Sequence, residues 1–332
     1  MKDVIKGYIK PSIRVLAFLI TFVILLEVLS VTYFSKAKAS EFTNKYSETM
    51  SFFNEPADTL QVIAIGNSDL YSGFCPSVMW KQNGFTSTAI GSPRQTPNQS
   101  FGLLREVLSN QKPKVVIIEC DMLYDTNPEE SNIESNGNSL DVVFDYLKPE
   151  SFEEGINNEL PIFMFHDRWK NKKTISTANK NHGYKFSDKV IPVLVNENYM
   201  KPTDKQEKIS KIYESDIETI IDYCASNGIN VILTTFASPS SWTYERHNAV
   251  ENLAKNNDVA YVDFNMLFDE IELDLSKDFR DKGNHLNYYG ARKTTEYLGN
   301  YIAENYELED LRENKDFEFW NHSVKQFEEQ LI

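Results

Sequence analysis

Short, uninterrupted apolar runs limit this chain more than any other feature of its sequence. Residues 62–65 and 115–118 are entirely apolar, and residues 229–236 are largely so. A strand buried on both faces has this pattern, and such strands occur in parallel sheets covered by helices. Segments with apolar residues at helical spacing separate the runs, so the sequence predicts an α/β fold built on a parallel sheet.

Five strands are predicted, at residues 62–65, 86–90, 114–119, 229–236 and 259–263. Two of the longer predicted helices cover residues 204–226 and 241–255. The pattern lapses between residues 126 and 203, and so long a segment is seldom structureless within a compact domain. We therefore predict a helical insertion there, which forms a lid over the carboxyl edge of the sheet. The acidic tail, residues 306–332, predicts a surface helix.

Residues 13–34 form an apolar segment that only Arg14 and Glu27 interrupt. About 20 apolar residues suffice to cross a bilayer. The basic residues of segment 1–12 precede it, and the positive-inside rule then places the N-terminus in the cytoplasm. We expect a single-pass anchor in the cell membrane, with the C-terminal part extracytoplasmic. Residues 37–39, Ala-Lys-Ala, also fit a signal-peptidase site, which leaves cleavage of the anchor open.

The expected domain organisation follows from these segments. It comprises a cytoplasmic N-terminus (1–12), the anchor (13–34), a stalk (35–58), an α/β domain (59–305, with the insertion 126–203) and the acidic C-terminal helix (306–332).

Charge and cysteine content exclude several functions. The net charge is −15, and because residues 1–40 carry +4, the rest of the chain carries −19. Such a surface repels nucleic acid, so no nucleic-acid partner is expected. The widely spaced Cys75, Cys120 and Cys224 predict neither a disulfide framework nor a thiolate site. So few cysteines in an extracytoplasmic domain favour a bacterial, Gram-positive surface. We expect no metal and no cofactor.

Gly66-Asn67-Ser68 follows the first predicted strand and precedes a helix. Open α/β sheets place their sites at this carboxyl edge. A serine here is most often a helix cap. His285 changes that interpretation, because its loop follows the last strand and reaches the same edge. A carboxylate such as Asp281 can orient the imidazole for general-base work on a serine.

The chain resembles the SGNH (GDSL-type) hydrolases over residues 60–304, apart from the insertion. The matching motifs are Gly66-Asn67-Ser68, Gly91 within residues 90–96, and residues 281–290. Within that superfamily it is similar to membrane-anchored relatives that act on cell-envelope polymers, of the D-alanyl-lipoteichoic acid biosynthesis type. The resemblance implies a flavodoxin-like α/β/α sandwich and serine-dependent acyl-ester hydrolysis or acyl transfer.

The resemblance also implies roles for individual residues. Ser68 is the expected nucleophile, His285 the base and Asp281 its orienting acid. The N–H groups of Ser68 and Gly91 form the expected oxyanion hole.

Two departures from the family's pattern affect these roles. The family has Asp-x-x-His, and Lys282 occupies that acid position here, so Asp278 remains an alternative to Asp281. The family's third motif offers an asparagine to the oxyanion hole, but this chain has none at the end of the strand at residues 114–119. Asp121 and Asp125, which follow that strand, are expected to be solvated loop acids.

Two functions remain open at this level. The first is an esterase or O-acyltransferase acting on a cell-surface polysaccharide or teichoic-type polymer. Some relatives work with a multipass membrane acyltransferase, which makes such a protein a possible partner. The second is a non-catalytic scaffold or polymer-binding protein that keeps the fold.

Overall fold

The computed structural model describes residues 2–32, 51–52, 55–125, 181–195 and 199–331. The predicted lid and most of the predicted stalk lie outside these residues. The chain divides into two units, Met1–Glu41 with Leu147–Ser176, and Phe42–Tyr146 with Thr177–Ile332.

The described part of the first unit is a single helix, α1 (Lys2–Val31). It begins well before the predicted anchor, so residues 2–12 of the basic segment are helical too. Residues Ile13–Ser30 are long and apolar enough to cross a membrane. These 18 residues extend over about 27 Å, close to the thickness of a hydrocarbon core. A signal sequence has the same length and composition, so the helix by itself does not determine topology.

The second unit contains a five-stranded sheet in which every neighbouring pair is parallel. Its strands are β1 (Val62–Gly66), β2 (Ser87–Gly91), β3 (Val115–Glu119), β4 (Asn230–Thr235) and β5 (Ala260–Asp263). The spatial order is β2-β1-β3-β4-β5, which is the flavodoxin-like order. The predicted fold class, α/β with a five-stranded parallel sheet, is confirmed.

Seven helices of the described residues belong to this unit. They are α2 (Ser68–Gly73), α3 (Pro76–Asn83), α4 (Pro97–Leu108), α5 (Lys211–Ser226), α6 (Tyr244–Asn256), α7 (Tyr288–Asn305) and α8 (Glu318–Glu328). Helices α2 and α3 pack against α7, α4 packs against α5, and α6 packs against β5. Because successive side chains of a strand point to opposite faces, Val62 and Ala64 join the same buried cluster as Leu70 and Phe74.

Two helices begin later than their apolar spacing predicts. Helix α5 starts at Lys211 rather than near residue 204, because the Ser210 hydroxyl accepts a hydrogen bond from the Ile212 N–H at 3.3 Å. Thr243 caps α6 in the same way, through the Arg246 N–H at 3.2 Å. A serine or threonine cap satisfies a backbone donor that otherwise has no helical partner, and it therefore sets the first turn.

The acidic tail is part of the second unit. Its helix α8 packs on α3 and buries Trp320, whose ring stacks on Trp80 at 5.5 Å and on His182 at 3.7 Å between centroids. The ring nitrogens of His182 contact Glu55 Oε1 at 2.6 Å and Ser323 Oγ at 2.8 Å. His182 is therefore a buried packing residue that ties the tail to the start of the domain.

We expect His182→Ala to lower the free energy of unfolding by about 3 kcal/mol, because it leaves the buried Glu55 carboxyl without this partner. Urea denaturation of the full chain measures the change. His322→Ala is the matched control, since His322 is exposed and contacts only Gln326 among the described residues. Equal stability of the two variants contradicts the structural role of His182.

Candidate active site

Asn67, rather than Ser68, caps helix α2. The Asn67 side-chain oxygen accepts a hydrogen bond from the Asp69 N–H at 2.9 Å. The Ser68 hydroxyl is therefore not needed as a cap and is available for another partner. This removes the commonest structural explanation for a serine at this position.

That partner is His285. Its Nε2 lies 2.9 Å from the Ser68 Oγ, although the two residues are 217 positions apart in the sequence. The other ring nitrogen, Nδ1, lies 2.5 Å from Asp281 Oδ2. The structure thus brings together the three residues that the sequence predicts as nucleophile, base and orienting acid.

Asp281 organises the loop that carries the histidine. Its Oδ1 accepts hydrogen bonds from the N–H groups of Gly283 at 3.1 Å, Asn284 at 2.8 Å and His285 at 3.0 Å. The loop therefore folds around the carboxylate, and Gly283 adopts a positive φ of 109° within it. This curvature lets Asp281 reach Nδ1 across three intervening residues, where the family's pattern has two.

The Asp281 carboxyl is poised to stay ionised. Partial burial opposes ionisation, but the hydrogen bonds from the His285 side chain and from backbone N–H groups outweigh it and hold the pKa well below its usual value. An ionised Asp281 accepts a hydrogen bond from Nδ1–H, which keeps the proton on Nδ1 and leaves Nε2 free to accept the proton of Ser68. This is the tautomer that a general base needs.

Asp278, the alternative acid, has a different role. Its Oδ2 accepts hydrogen bonds from Lys293 Nζ and from the Asp274 N–H, both at 2.7 Å. The side chain is only 2% exposed. Asp278 therefore ties its own loop to α7, and the geometry favours Asp281 as the partner of the imidazole.

Gly91 ends β2 directly beside the Ser68 turn, and it pairs with Gly66 in the sheet. A Cβ atom at Gly91 would lie 2.9 Å from the Asn67 carbonyl oxygen. Only glycine permits so close an approach of the two strand ends. The use of the Gly91 and Ser68 N–H groups as an oxyanion hole stays a prediction, and this packing is compatible with it.

A cluster of buried acids lies beside the nucleophile turn. Asp69, Glu119 and Asp121 are each less than 10% exposed, whereas Asp125 is exposed as expected. Glu119 Oε1 accepts a hydrogen bond from the Asp121 N–H at 2.7 Å, and Asn67 Nδ2 lies 3.4 Å from Asp121 Oδ2. The expectation that Asp121 is a solvated loop acid is therefore wrong, because a short 3₁₀ turn (Asp121–Leu123) folds it back into the protein.

Burial raises the pKa of Asp69 well above its usual value, and the charges of Asp121 and Glu119 raise it further. Burial and the charge of Asp121 likewise raise the pKa of Glu119. These shifts favour carboxyls that retain protons. One sequence signal could have pointed to this cluster, since all three acids lie at the ends of predicted inner strands or shortly after them.

The other histidine and cysteine side chains of the described residues near the sheet have structural contacts. His247 contacts Asp263 Oδ2 through Nδ1 at 2.8 Å, beside Trp242, whose indole N–H binds the same oxygen. Each cysteine is a buried free thiol. His166 lies outside the described residues.

Comparisons with known proteins give similarity of fold only. No family model matches the sequence, and the search of curated proteins also found no match. Similar solved structures include a GDSL-like lipase from Bacteroides thetaiotaomicron, with 14% identity, a TM-score of 0.38, and coverage of 80% of this chain and 99% of that one. A protein assigned as an acylhydrolase from Bacteroides fragilis has the same identity and TM-score, with coverage of 80% and 97%.

A protein assigned as lipolytic and of the G-D-S-L family, from Desulfitobacterium hafniense, has 13% identity and a TM-score of 0.37. That similarity covers 72% of this chain and 98% of the other. At these identities and TM-scores the likeness does not bear on function.

The raised pKa of Asp69 predicts a pH-dependent stability. Above about pH 4 the unfolded chain loses this proton, whereas the folded protein keeps it to a higher pH, so the free energy of unfolding falls as pH rises through this window. We expect Asp69→Asn to remove part of this loss, so that its stability relative to wild type increases from pH 4 to pH 8. Urea denaturation across that range measures the difference.

Asp222→Asn on α5 is the control for loss of one negative charge, since Asp222 is exposed. A difference between Asp69→Asn and wild type that is constant with pH contradicts the assignment of a retained proton at Asp69.

Proposed function

We propose that this protein is a serine esterase or O-acyltransferase of the SGNH (GDSL) type. The observation that carries the proposal is the continuous hydrogen-bonded series from the Ser68 hydroxyl through His285 to Asp281. A nucleophile, a base and an orienting carboxylate in this order are what acyl transfer through a serine requires. The series lies at the carboxyl edge of the parallel sheet, where open α/β folds place their sites.

The proposed first step forms an acyl-serine. As the Ser68 Oγ attacks the acyl carbon, His285 Nε2 takes the hydroxyl proton, and the carbonyl oxygen becomes an oxyanion that faces the N–H groups of Ser68 and Gly91. The ester bond then breaks, and His285 returns the proton to the departing alcohol oxygen. Asp281 stays ionised throughout and stabilises the imidazolium.

The second step reverses the first with a new acceptor. Water or a hydroxyl group attacks the acyl-serine while His285 Nε2 removes its proton. The tetrahedral intermediate then releases the Ser68 Oγ, which regains a proton from the imidazolium. Water as acceptor makes the protein an esterase, and a hydroxyl as acceptor makes it an O-acyltransferase.

We propose a cell-surface polysaccharide or teichoic-type polymer as the substrate, with the enzyme anchored in the membrane by α1. The apolar residues Ile13–Ser30 support the anchor, and the resemblance to cell-envelope enzymes supports the polymer. In this arrangement the C-terminal domain is extracytoplasmic. A multipass membrane acyltransferase is the partner that could deliver the acyl group.

We expect Ser68→Ala to abolish both labelling by a fluorophosphonate probe and hydrolysis of 4-nitrophenyl acetate, with a loss of at least about 10³-fold in kcat. The full chain is assayed in detergent. The control is Ser226→Ala, because this serine is exposed at the end of α5 and lies outside the helix that carries Ser68. Absence of labelling in the folded wild-type protein favours the non-catalytic scaffold instead.

The two candidate acids make different predictions. We expect Asp281→Asn to lower kcat by about 10⁴-fold with little change in KM, because the amide no longer holds the imidazole in the tautomer that accepts the serine proton. Asp278→Asn is expected to lower the thermal midpoint, since it weakens the contact with Lys293, and to change kcat far less. The reverse pattern of kcat values contradicts the assignment of Asp281.

A further inference from the structure

The proposed oxyanion hole has two backbone donors, and the third motif of this chain has no asparagine to add a side-chain donor. A missing side-chain donor typically costs about 10²-fold or more in kcat. Another residue of the site can fill this role if its donor lies next to the Ser68 hydroxyl and to Gly91. Tyr71 of helix α2 is the candidate, because its ring packs beside Gly91 and its side chain neighbours that of Ser68.

We propose that the Tyr71 hydroxyl is a further catalytic residue, which donates a hydrogen bond to the oxyanion, and that Arg280 is the positioning residue that holds and polarises it. This inference rests on the proposed function, because it assigns a third donor to the same acyl-transfer step. No bond is made or broken at Tyr71, and its proton stays on the phenol throughout.

The position of the Tyr71 ring supports the proposal. Tyr71 follows Ser68 by three residues in α2, so both side chains lie on the same face of the helix. Its Cδ1 atom lies 3.4 Å from the position that a Cβ atom would occupy at Gly91. The ring is therefore packed between the nucleophile and the strand end that supplies the second predicted backbone donor, and it is only 7% exposed.

The phenol is placed to act as a donor. Burial raises the pKa of Tyr71, and the Arg280 charge and the Ser68 side chain oppose this shift because both lie close to the hydroxyl. The group therefore stays protonated at neutral pH and keeps a hydrogen to donate. The Ser68 side chain, which neighbours the phenol, carries the Oγ that becomes the ester oxygen of the acyl-serine.

Arg280 is fastened to both sides of the site. Its Nη2 donates to the Ser72 Oγ at 2.6 Å, and that hydroxyl donates to the Ser68 carbonyl at 2.5 Å. Its backbone N–H donates to the His285 carbonyl at 3.1 Å. The guanidinium is thereby held between the nucleophile helix and the histidine loop, with Cζ 5.8 Å from the Tyr71 ring centroid.

A second cation lies over the same ring. Lys185 Nζ is 5.4 Å from the Tyr71 centroid, and the Lys185 N–H donates to the Tyr71 carbonyl at 2.8 Å. Two cations at one tyrosine are notable in a chain whose residues after 40 carry a net −19. Positive charge beside the phenol ring makes the phenol a stronger donor and favours negative charge on a neighbouring oxygen.

The test compares Tyr71→Phe with wild type in hydrolysis of 4-nitrophenyl acetate by the full chain in detergent. The substitution keeps the ring packed against Gly91 and removes only the hydroxyl. We expect kcat to fall by about 10²-fold with KM changed less than about twofold, because the donor acts on the transition state and not on the bound ester. Tyr289→Phe is the matched control, since Tyr289 is 45% exposed in the first turn of α7.

Arg280 is tested in the same assay. We expect Arg280→Gln to lower kcat and Arg280→Lys to restore part of it, because the lysine returns the positive charge beside Tyr71. Thermal midpoints show that each variant is folded. A structural role alone would lower stability without this rescue of kcat by the conservative variant.

The outcomes separate the two proposals. A folded Tyr71→Phe with the kcat of wild type overturns the donor role of Tyr71 while Ser68 remains the nucleophile. A change confined to KM overturns it as well. A wild-type protein that neither hydrolyses the ester nor labels with a fluorophosphonate overturns the proposed function, and the role of Tyr71 with it.

Discussion

The parallel pairing of β1 with β2 and β3 is the constraint on which the site depends. In that pairing Gly66 lies opposite Gly91, and the three strands end at one edge of the sheet. A side chain at Gly91 would collide with the Asn67 carbonyl, so the two glycines allow the nucleophile turn to lie directly against β2. The Ser68 hydroxyl then leaves the sheet at a fixed point, toward the loop that follows β5.

The histidine loop depends in turn on one carboxylate. Asp281 binds three backbone N–H groups through one oxygen and the imidazole through the other, so a single side chain both shapes the loop and orients the imidazole. Charge-assisted hydrogen bonds of this kind are stronger than neutral ones and lose little entropy within a short loop. The loop is therefore organised before any substrate binds, which is what general-base chemistry on a serine requires.

The buried acids beside the nucleophile work against stability. Asp69, Glu119 and Asp121 lie together in a part of the protein where burial disfavours their charged forms. Perturbed carboxyls of this kind concentrate at functional sites, although packing alone can also produce them. Here they lie beside the turn that carries Ser68. The cationic Arg280 and Lys185 lie close to the ring of Tyr71, which belongs to the helix that begins at Ser68. Acidic groups therefore lie beside the Ser68 end of this short helix, and basic groups lie beside Tyr71 one turn further along it.

Local sequence patterns determined the sheet and the two motifs of the site. Uninterrupted apolar runs predict buried parallel strands because both strand faces are covered, and the positions of Ser68 and His285 after the first and last strands follow from them. The late start of α5 at Lys211 was not apparent, since isoleucine spacing continues upstream of the Ser210 cap.

Only the tertiary structure decided which groups become partners. Nothing in the spacing of Asp278 and Asp281 shows which carboxylate faces the imidazole, because that depends on how the loop bends around Gly283. The burial of Asp121 and the approach of Arg280 to Tyr71 were equally beyond the sequence. Each depends on contacts between segments far apart in the chain, and such contacts exist only once the sheet has brought those segments to one edge.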